Sequence, residues 1–367
     1  MKTIAIFSAY YYPHLGGIER YIDNLMKEFI KMGHKVILVT SNYDNLKETE
    51  NKKGIEIIRL PVFNAFKHRY PIIKHNKEER ELLSNLDNYK IDSIIVNTRF
   101  HLTSHIGASY GKKKGIPVYL IEHGSNYVTL DNKFIDFFAN RYEDFLTMKI
   151  KNKIAGFYGV SKACNEWLKR LKISASGVWY NSIDINQKLP AKEKHKTINF
   201  LYAGRLIKQK GVENILNAFS NLEKEHSNIR LFIAGEGPEF DYYKSSFMSK
   251  NIKFLGKLNY DELVKYYAKT DIFLYPPLWP EGLPTSILEA GLMKCAIIGT
   301  NQGGITEVIN DSNGIIVKEN IKSLEKAMAR LIENNKLRNK LQEAIYKTVI
   351  NEFSCEVTAK RIIKDMK

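Results

Sequence analysis

Residues 198–219 read INFLYAGRLIKQKGVENILNAF. The largely apolar run 198–203 has the composition of a buried strand. Val212, Ile215, Leu216 and Phe219, with Leu222 just beyond, share one face of a helix. Between strand and helix lie Gly204, Arg205, Lys210 and Gly211. This strand, basic glycine-containing loop and helix form the repeating unit of a parallel sheet covered by helices. Strand candidates follow at 229–234, 252–255, 271–275, 295–299 and 313–317, and from Ile321 the pattern is helical.

The same alternation runs upstream. Thr3–Ala9 reads as a strand, YYPHLGGIERY (11–21) as a turn entering a helix, and Ile18, Tyr21, Ile22, Leu25, Met26, Phe29 and Ile30 as that helix's apolar face, stopped at Gly33. Further strands are expected at Val36–Thr40, Ile55–Leu60, Ser93–Asn97, Val118–Ile121 and Gly156–Val160. The polar stretch NSIDINQKLPAKEKHK (181–196) separates the two series. The reading is therefore α/β, with two doubly wound Rossmann-like domains facing a cleft. Residues 1–182 form the first domain, 183–351 the second, and 352–367 a terminal helix.

Composition narrows the class. The 367 residues exceed what one core usually organises, and 44% hydrophobic with 26% charged residues describes a globular chain. No apolar run reaches 18 residues, and the amino terminus reads as a strand rather than a signal peptide. Three scattered cysteines, Cys164, Cys295 and Cys355, argue against a disulfide framework or a zinc site and suit a cytoplasmic location. The net charge is +16; residues 1–182 carry 28 Lys+Arg against 18 Asp+Glu, and residues 183–367 carry 28 against 22. An anionic partner is implied, whether phosphorylated substrate, lipid surface or nucleic acid.

Ligands of doubly wound domains bind at strand carboxyl ends, so the loops after strands are the places to search. Gly16 and Gly17 permit close backbone approach at a helix start, which suits an anion, although a tight turn is by itself the better explanation of so short a motif. Arg205 and Lys210 offer a forked and a point cation in a post-strand loop, fitted to a diphosphate whose charge grows as it leaves. In PPLWPEGLPTSILEAGLMKC (276–295), Glu281 precedes a helix and Glu289 lies inside it. Carboxylates accept hydrogen bonds from paired sugar hydroxyls, and the helix start offers N–H groups to a phosphate.

YYPHLGGIERY, YNSID, YAGRLIKQKGVENILNAF, IAGEGP, FLGKL, DIFLYPPLWPEGLPTSILEAG and GGITEVI, in this order, resemble glycosyltransferase family 4, retaining enzymes of GT-B fold. The resemblance covers essentially the whole chain. It implies a nucleotide-sugar donor, UDP- or GDP-linked, on the second domain and an acceptor on the first. Arg205 and Lys210 would bind the diphosphate, Glu281 the donor sugar, and Glu289 the ribose. The backbone from Gly282 through Leu283 and Pro284 to Thr285 would complete the pocket, with Gly204, Gly235 and Gly237 near the nucleotide and Gly16 and Gly17 closing over the phosphates. His123, in EHG, matches a family histidine facing the sugar; Glu19 and Glu236 match with no assigned role. The terminal helix is expected to cross back to the first domain.

No Asp-x-Asp tripeptide occurs, and the cations with the helix dipoles can replace a divalent ion, so neither metal nor cofactor is expected. A front-face reaction, with the leaving phosphate accepting the acceptor's proton, would retain configuration. The resemblance also suggests assembly of a bacterial surface polysaccharide or glycolipid. The competing readings are a nucleotide-sugar epimerase or phosphorylase of the same fold, and a non-catalytic RNA- or lipid-binding protein; no nucleic-acid motif supports the last. A peripheral membrane contact is expected at 62–77, VFNAFKHRYPIIKHNK, where Lys67, Arg69, Lys74 and Lys77 interleave with aromatic and apolar residues in a loop or broken helix.

Overall fold

The computed structural model describes residues 1–14, 16–63, 70–127 and 132–366. The chain divides into unit 1, Met1–Asn181 with Cys355–Lys367, and unit 2, Ser182–Ser354.

Unit 1 contains β1 (Thr3–Phe7), α1 (Gly17–Lys31), β2 (Lys35–Asn42), β3 (Thr49–Lys52), β4 (Ile55–Phe63), β5 (Ile72–Ile73), α2 (Lys77–Ser84), β6 (Ser93–Asn97), α3 (Leu102–Lys114), β7 (Val118–Glu122), α4 (Lys133–Lys151), β8 (Gly156–Gly159), α5 (Lys162–Arg170) and β9 (Gly177–Val178). Its sheet runs β3-β4-β2-β1-β6-β7-β8-β9, with β5 also pairing β4. All pairings are parallel except those of β3 and β5 with β4.

Unit 2 contains β10 (Ile198–Ala203), α6 (Val212–Leu222), β11 (Ile229–Ala234), α7 (Phe240–Ser246), β12 (Ile252–Gly256), α8 (Tyr260–Lys269), β13 (Ile272–Tyr275), α9 (Thr285–Leu292), β14 (Ala296–Thr300), β15 (Ile315–Val317), α10 (Ile321–Glu333) and α11 (Asn335–Glu352). Its six strands are parallel in the order β12-β11-β10-β13-β14-β15. Helices cover both faces of such a sheet, which is why β10 and β14 are buried along their whole length and read as near-continuous apolar runs.

In each sheet the strand order reverses beside the first strand, between β1 and β6 in unit 1 and between β10 and β13 in unit 2. At these two points, adjacent post-strand loops turn to opposite faces and leave a crevice.

Two cores pack against the faces of the first sheet. One gathers Tyr21, Met26 and Phe29 of α1, Trp179, and Ala359, Ile362 and Met366. The last three come from the terminal helix α12 (Cys355–Asp365) and its end, so this segment packs within unit 1. Trp179 Nε1 donates to Asp365 at 2.8 Å and fixes the segment's end. Burying Ile362 and Met366 contributes about 1.5–3 kcal/mol each, which helps hold a short helix against the sheet.

The described ends of the stretch 62–77 are paired strands rather than the expected loop or broken helix. Val62 and Phe63 end β4 and pair antiparallel with Ile72 and Ile73 of β5, and α2 begins at Lys77. Backbone pairing wins because Pro71 cannot continue a helix and Val62 and Ile73 reach the core. Phe66, Lys67 and Arg69 lie outside the described residues. Among the described residues no helix is long and apolar enough to cross a membrane.

Candidate functional site

In unit 2, four post-strand loops converge on the C-terminal edge beside the reversal. The loop after β10 carries Gly204 and Arg205 and ends in a single 3₁₀ turn, Lys208–Lys210, before α6. The loop after β13 carries Glu281 into α9. The two meet through one ion pair: Lys210 Nζ lies 2.6 Å from Glu281 Oε1 and donates to the Tyr275 hydroxyl at 3.1 Å. Neither charged side chain is more than 22% exposed, so the pair is weakly screened and its geometry is defined.

An ammonium has three donors, and Glu281 and Tyr275 take two. The third has no partner among the described residues. Arg205 is exposed, and its guanidinium has no hydrogen-bond or ion-pair partner among them either. The loop therefore presents one fork and one N–H to an incoming anion. Tyr275 is held neutral, because burial first and the Glu281 charge second push its hydroxyl well above the ordinary phenol range.

Backbone contacts position these groups. Gly235 adopts φ +133°, and a Cβ there would overlap the Gly204 carbonyl; Leu206 N–H donates to Glu236 O at 2.9 Å. The loops after β10 and β11 are thus seated main chain to main chain, which only glycine at 235 permits. Gly303, at φ +63°, lies against Glu281, whose carbonyl accepts the Gly304 N–H at 3.0 Å. The loop after β14 thereby clamps the carboxylate's backbone.

Glu289 lies inside α9 and is buried, with Oε2 accepting the Tyr267 hydroxyl at 3.0 Å. Burial foremost, then the Glu289 carboxylate, raises Tyr267 well above its usual value, so the phenol stays a donor. Pro284 is the N-cap of α9, with Thr285 its first residue, and no side chain caps the helix. Gly282, Leu283 and Pro284 form the turn leading to that open end.

In unit 1, His123 follows β7 and Gly16 precedes α1. The ring of Tyr21, on α1, meets His123 edge-on at 5.5 Å. His123 Nε2 lies 3.0 Å from Asn97 Oδ1. Asn97 Nδ2 donates to the Phe7 carbonyl, which can only accept, at 3.2 Å. The amide oxygen therefore faces the ring, and Nε2 carries the proton. Burial, with a smaller contribution from His101, lowers His123 to about 3, so the ring is neutral and Nδ1 keeps its lone pair. Nδ1 has no partner among the described residues.

At Gly16, placed by the sequence at a helix start suited to an anion, the N–H donates to the buried Glu19 carboxylate at 2.7 Å. Glu19 thus has a capping role at the start of α1.

Sequence reasoning overlooked several residues. Arg99, fully buried, bridges Glu122 at 2.9 Å and Glu143 at 2.8 Å. Glu122 also accepts the Gly124 N–H at 3.1 Å, so this triad anchors the turn that carries His123. A cavity of about 300 Å³ is lined by Tyr10, Tyr12, His14 and Tyr43, with the Tyr10 and Tyr43 rings stacked at 5.3 Å. Tyr275 and Asn97 could have been suspected, since each ends a strand beside a reversal.

The chain is similar to known proteins along most of its length. Residues 183–348 match the family described as glycosyl transferases group 1, and residues 15–187 match glycosyltransferase family 4. An uncharacterized glycosyltransferase of Methanocaldococcus jannaschii is 28% identical across 98% of this chain and 97% of its own length. The GPI3 subunit of phosphatidylinositol N-acetylglucosaminyltransferase from Saccharomyces cerevisiae is 24% identical, over 84% of this chain and 70% of the relative. The crystal structure of Anabaena HepE in complex with UDP-glucose superposes with a TM-score of 0.73 at 15% identity, covering 99% of each chain.

Proposed function

Since the chain belongs to glycosyltransferase family 4 and has the GT-B fold, we propose that it is a retaining, metal-independent enzyme that moves a hexosyl or N-acetylhexosaminyl group from a UDP- or GDP-linked sugar to a hydroxyl of a lipid-linked or polysaccharide acceptor. The observation that carries this reading is the Lys210–Glu281 pair beside Tyr275, with Arg205, whose guanidinium has no partner among the described residues, on the same loop.

Lys210 and Arg205 neutralise the diphosphate as the bond from the sugar's anomeric carbon to the phosphate oxygen breaks. A cation placed in advance costs no reorganisation at that moment. Glu281 accepts hydrogen bonds from the donor sugar's hydroxyls, and its charge keeps Lys210 oriented. The uncapped start of α9 adds N–H groups for phosphate. Glu289 accepts from the ribose hydroxyls while Tyr267 holds its other side. His123 Nδ1 accepts a sugar hydroxyl. The acceptor oxygen bonds to the anomeric carbon on the face the diphosphate leaves, and the acceptor's proton passes to the departing phosphate oxygen.

A nucleotide donor is supported by the neighbour bound to UDP-glucose, and a lipid acceptor by the relative named for phosphatidylinositol. A cytoplasmic enzyme in peripheral contact with an anionic membrane, serving polysaccharide or glycolipid synthesis, fits such an acceptor. The test is a panel of UDP- and GDP-sugars read by thermal stabilisation, then transfer in excess EDTA with the product's anomeric configuration read by NMR. Stabilisation by one nucleotide series and an unchanged anomer support the reading. No stabilisation by either series, an inverted anomer, or activity restored only by a divalent ion would overturn the corresponding part.

A further inference from the structure

We propose that helix α4, Lys133–Lys151, is a docking surface for an anionic lipid bilayer. Only one side of its C-terminal half is seated, through the buried Leu146 and Ile150. Elsewhere Phe134, Phe137, Phe138, Phe145 and Met148 are 46–73% exposed on this one element. Single exposed apolar residues are ordinary, but a cluster along one helix marks an interaction surface.

The charges on that surface select the occupant. Among the described side chains, the exposed charged residues of α4 are Arg141 and Lys149. Arg141 lies 5.5 Å over the Phe137 ring and Lys149 lies 4.4 Å over Phe145. Of the acids, Glu143 is buried on Arg99, Asp144 is half-buried and accepts the Tyr127 hydroxyl at 2.7 Å, and Asp136 is half-buried. The exposed face is therefore aromatic with cations beside the rings, and its described carboxylates are half-buried or buried. Aromatic rings settle at headgroup level while cations reach lipid phosphates. A second copy on the same face would bring Arg141 and Lys149 against like charges, with Asp144 already engaged by the Tyr127 hydroxyl and by Arg141 at 3.8 Å. Unit 1 as a whole holds 32 Lys+Arg against 20 Asp+Glu, which adds long-range attraction to the same surface.

The helix also connects to the strand ends of its own unit. Ring centroids run from Tyr142 to Tyr70 at 6.5 Å, from Tyr70 to His101 at 6.1 Å, and from His101 to Tyr10 at 6.1 Å, beside the aromatic cavity. The purpose of docking, delivery of a lipid-linked acceptor, rests on the function proposed above; the docking itself does not.

The experiment is co-sedimentation of the full chain with vesicles of mixed phosphatidylglycerol and phosphatidylcholine, or of phosphatidylcholine alone, from low to high salt. Wild type should bind the anionic vesicles, less so as salt rises. Phe134→Ser/Phe138→Ser/Phe145→Ser should bind roughly tenfold less with an unchanged melting temperature, since these rings hold no core. Arg141→Ser/Lys149→Ser should lose most of the preference for anionic vesicles. Absent or charge-indifferent binding by wild type, or undiminished binding by the aromatic variant, would overturn the proposal. So would velocity sedimentation in which the aromatic variant converts a dimer to a monomer while wild type ignores vesicles, which would assign the face to a second copy. Stabilisation by UDP or GDP is measured in parallel; its loss with vesicle binding intact would sink the proposed function and leave this proposal standing.

Discussion

Units 1 and 2 are wired alike and lined differently. Each places its first strand beside a reversal of strand order, yet the loops there carry opposite chemistry. In unit 2 the lining is charged: Lys210, Glu281 and Arg205, with Glu289 held by Tyr267. In unit 1 it is aromatic and neutral: Tyr10 stacked on Tyr43, His101, and a His123 that burial keeps uncharged. The contrast teaches that a shared topology supplies only the crevice, and the side chains at the strand ends decide what it takes. A charged crevice suits a diphosphate that gains charge in the reaction. Aromatic faces and a neutral imidazole suit hydroxyl-bearing sugar rings.

The largest test of this contrast removes the charge from unit 2. Lys210→Ala and Glu281→Ala should each lower turnover by roughly a hundredfold or more, the usual cost of losing a preorganised stabiliser. Because the two side chains form one contact, the double variant should lose far less than the product of the two single losses. Steady-state kinetics of the four forms checks this, and full multiplicativity would mean the two act separately. Arg205→Ala should cost somewhat less, about tenfold to a hundredfold, with an unchanged melting temperature because its guanidinium has no partner among the described residues. A fall in melting temperature comparable to that of Lys210→Ala would show a structural role instead.

Smaller effects separate nucleotide binding from chemistry. Glu289→Ala should weaken nucleotide affinity by about tenfold, the value of one charge-assisted hydrogen bond, while turnover at saturation changes little. Tyr267→Phe leaves the carboxylate in place without its 3.0 Å partner and should weaken binding only a few-fold. Calorimetric titration with UDP and GDP reads both; equal losses in the two variants would place the binding energy in Tyr267 rather than Glu289.

The strand, loop and helix alternation was legible because a sheet buried on both faces demands apolar runs and its covering helices demand apolar stripes. The charged loop residues were legible by type and by place after a strand. What each side chain meets was not, since the partners are distant in the chain: Tyr275 stands 65 residues from Lys210, and Asn97 stands 26 from His123. Exposure was hidden for a related reason. In KFIDFFANRYEDFLTMKIK the aromatic spacing of α4 is what a core-facing helix would also show. Within 62–77, where a membrane contact is expected from the sequence, Val62 and Ile73 join a core. Among the described residues of that stretch, Phe63 with Lys74 5.4 Å over its ring keeps the expected pairing of aromatic and cation.

The finest test lies in unit 1 and concerns a single proton. His123 is expected to be neutral with its proton on Nε2, held there by Asn97, whose amide is itself oriented by the Phe7 carbonyl. Its folded-state value of about 3 lies below the ordinary imidazole value of about 6.5. The unfolded chain therefore binds the proton first, so this group's contribution to stability is complete above about pH 6.5 and is lost as pH falls from there toward 3. Activity between pH 5 and 8 should show no titration assignable to this ring. Asn97→Ala removes the acceptor, frees either ring nitrogen to carry the proton, and should lower turnover a few-fold. Asn97→Asp restores an acceptor with a negative charge, which raises the imidazole's affinity for a second proton. That variant should gain an acid limb in its pH–rate profile that wild type lacks. Nitrogen NMR of the imidazole distinguishes the tautomers directly, with protonated Nε2 and bare Nδ1 expected in wild type. A wild-type ring protonated on Nδ1, or an unchanged profile in Asn97→Asp, would remove Asn97 as the residue that positions His123.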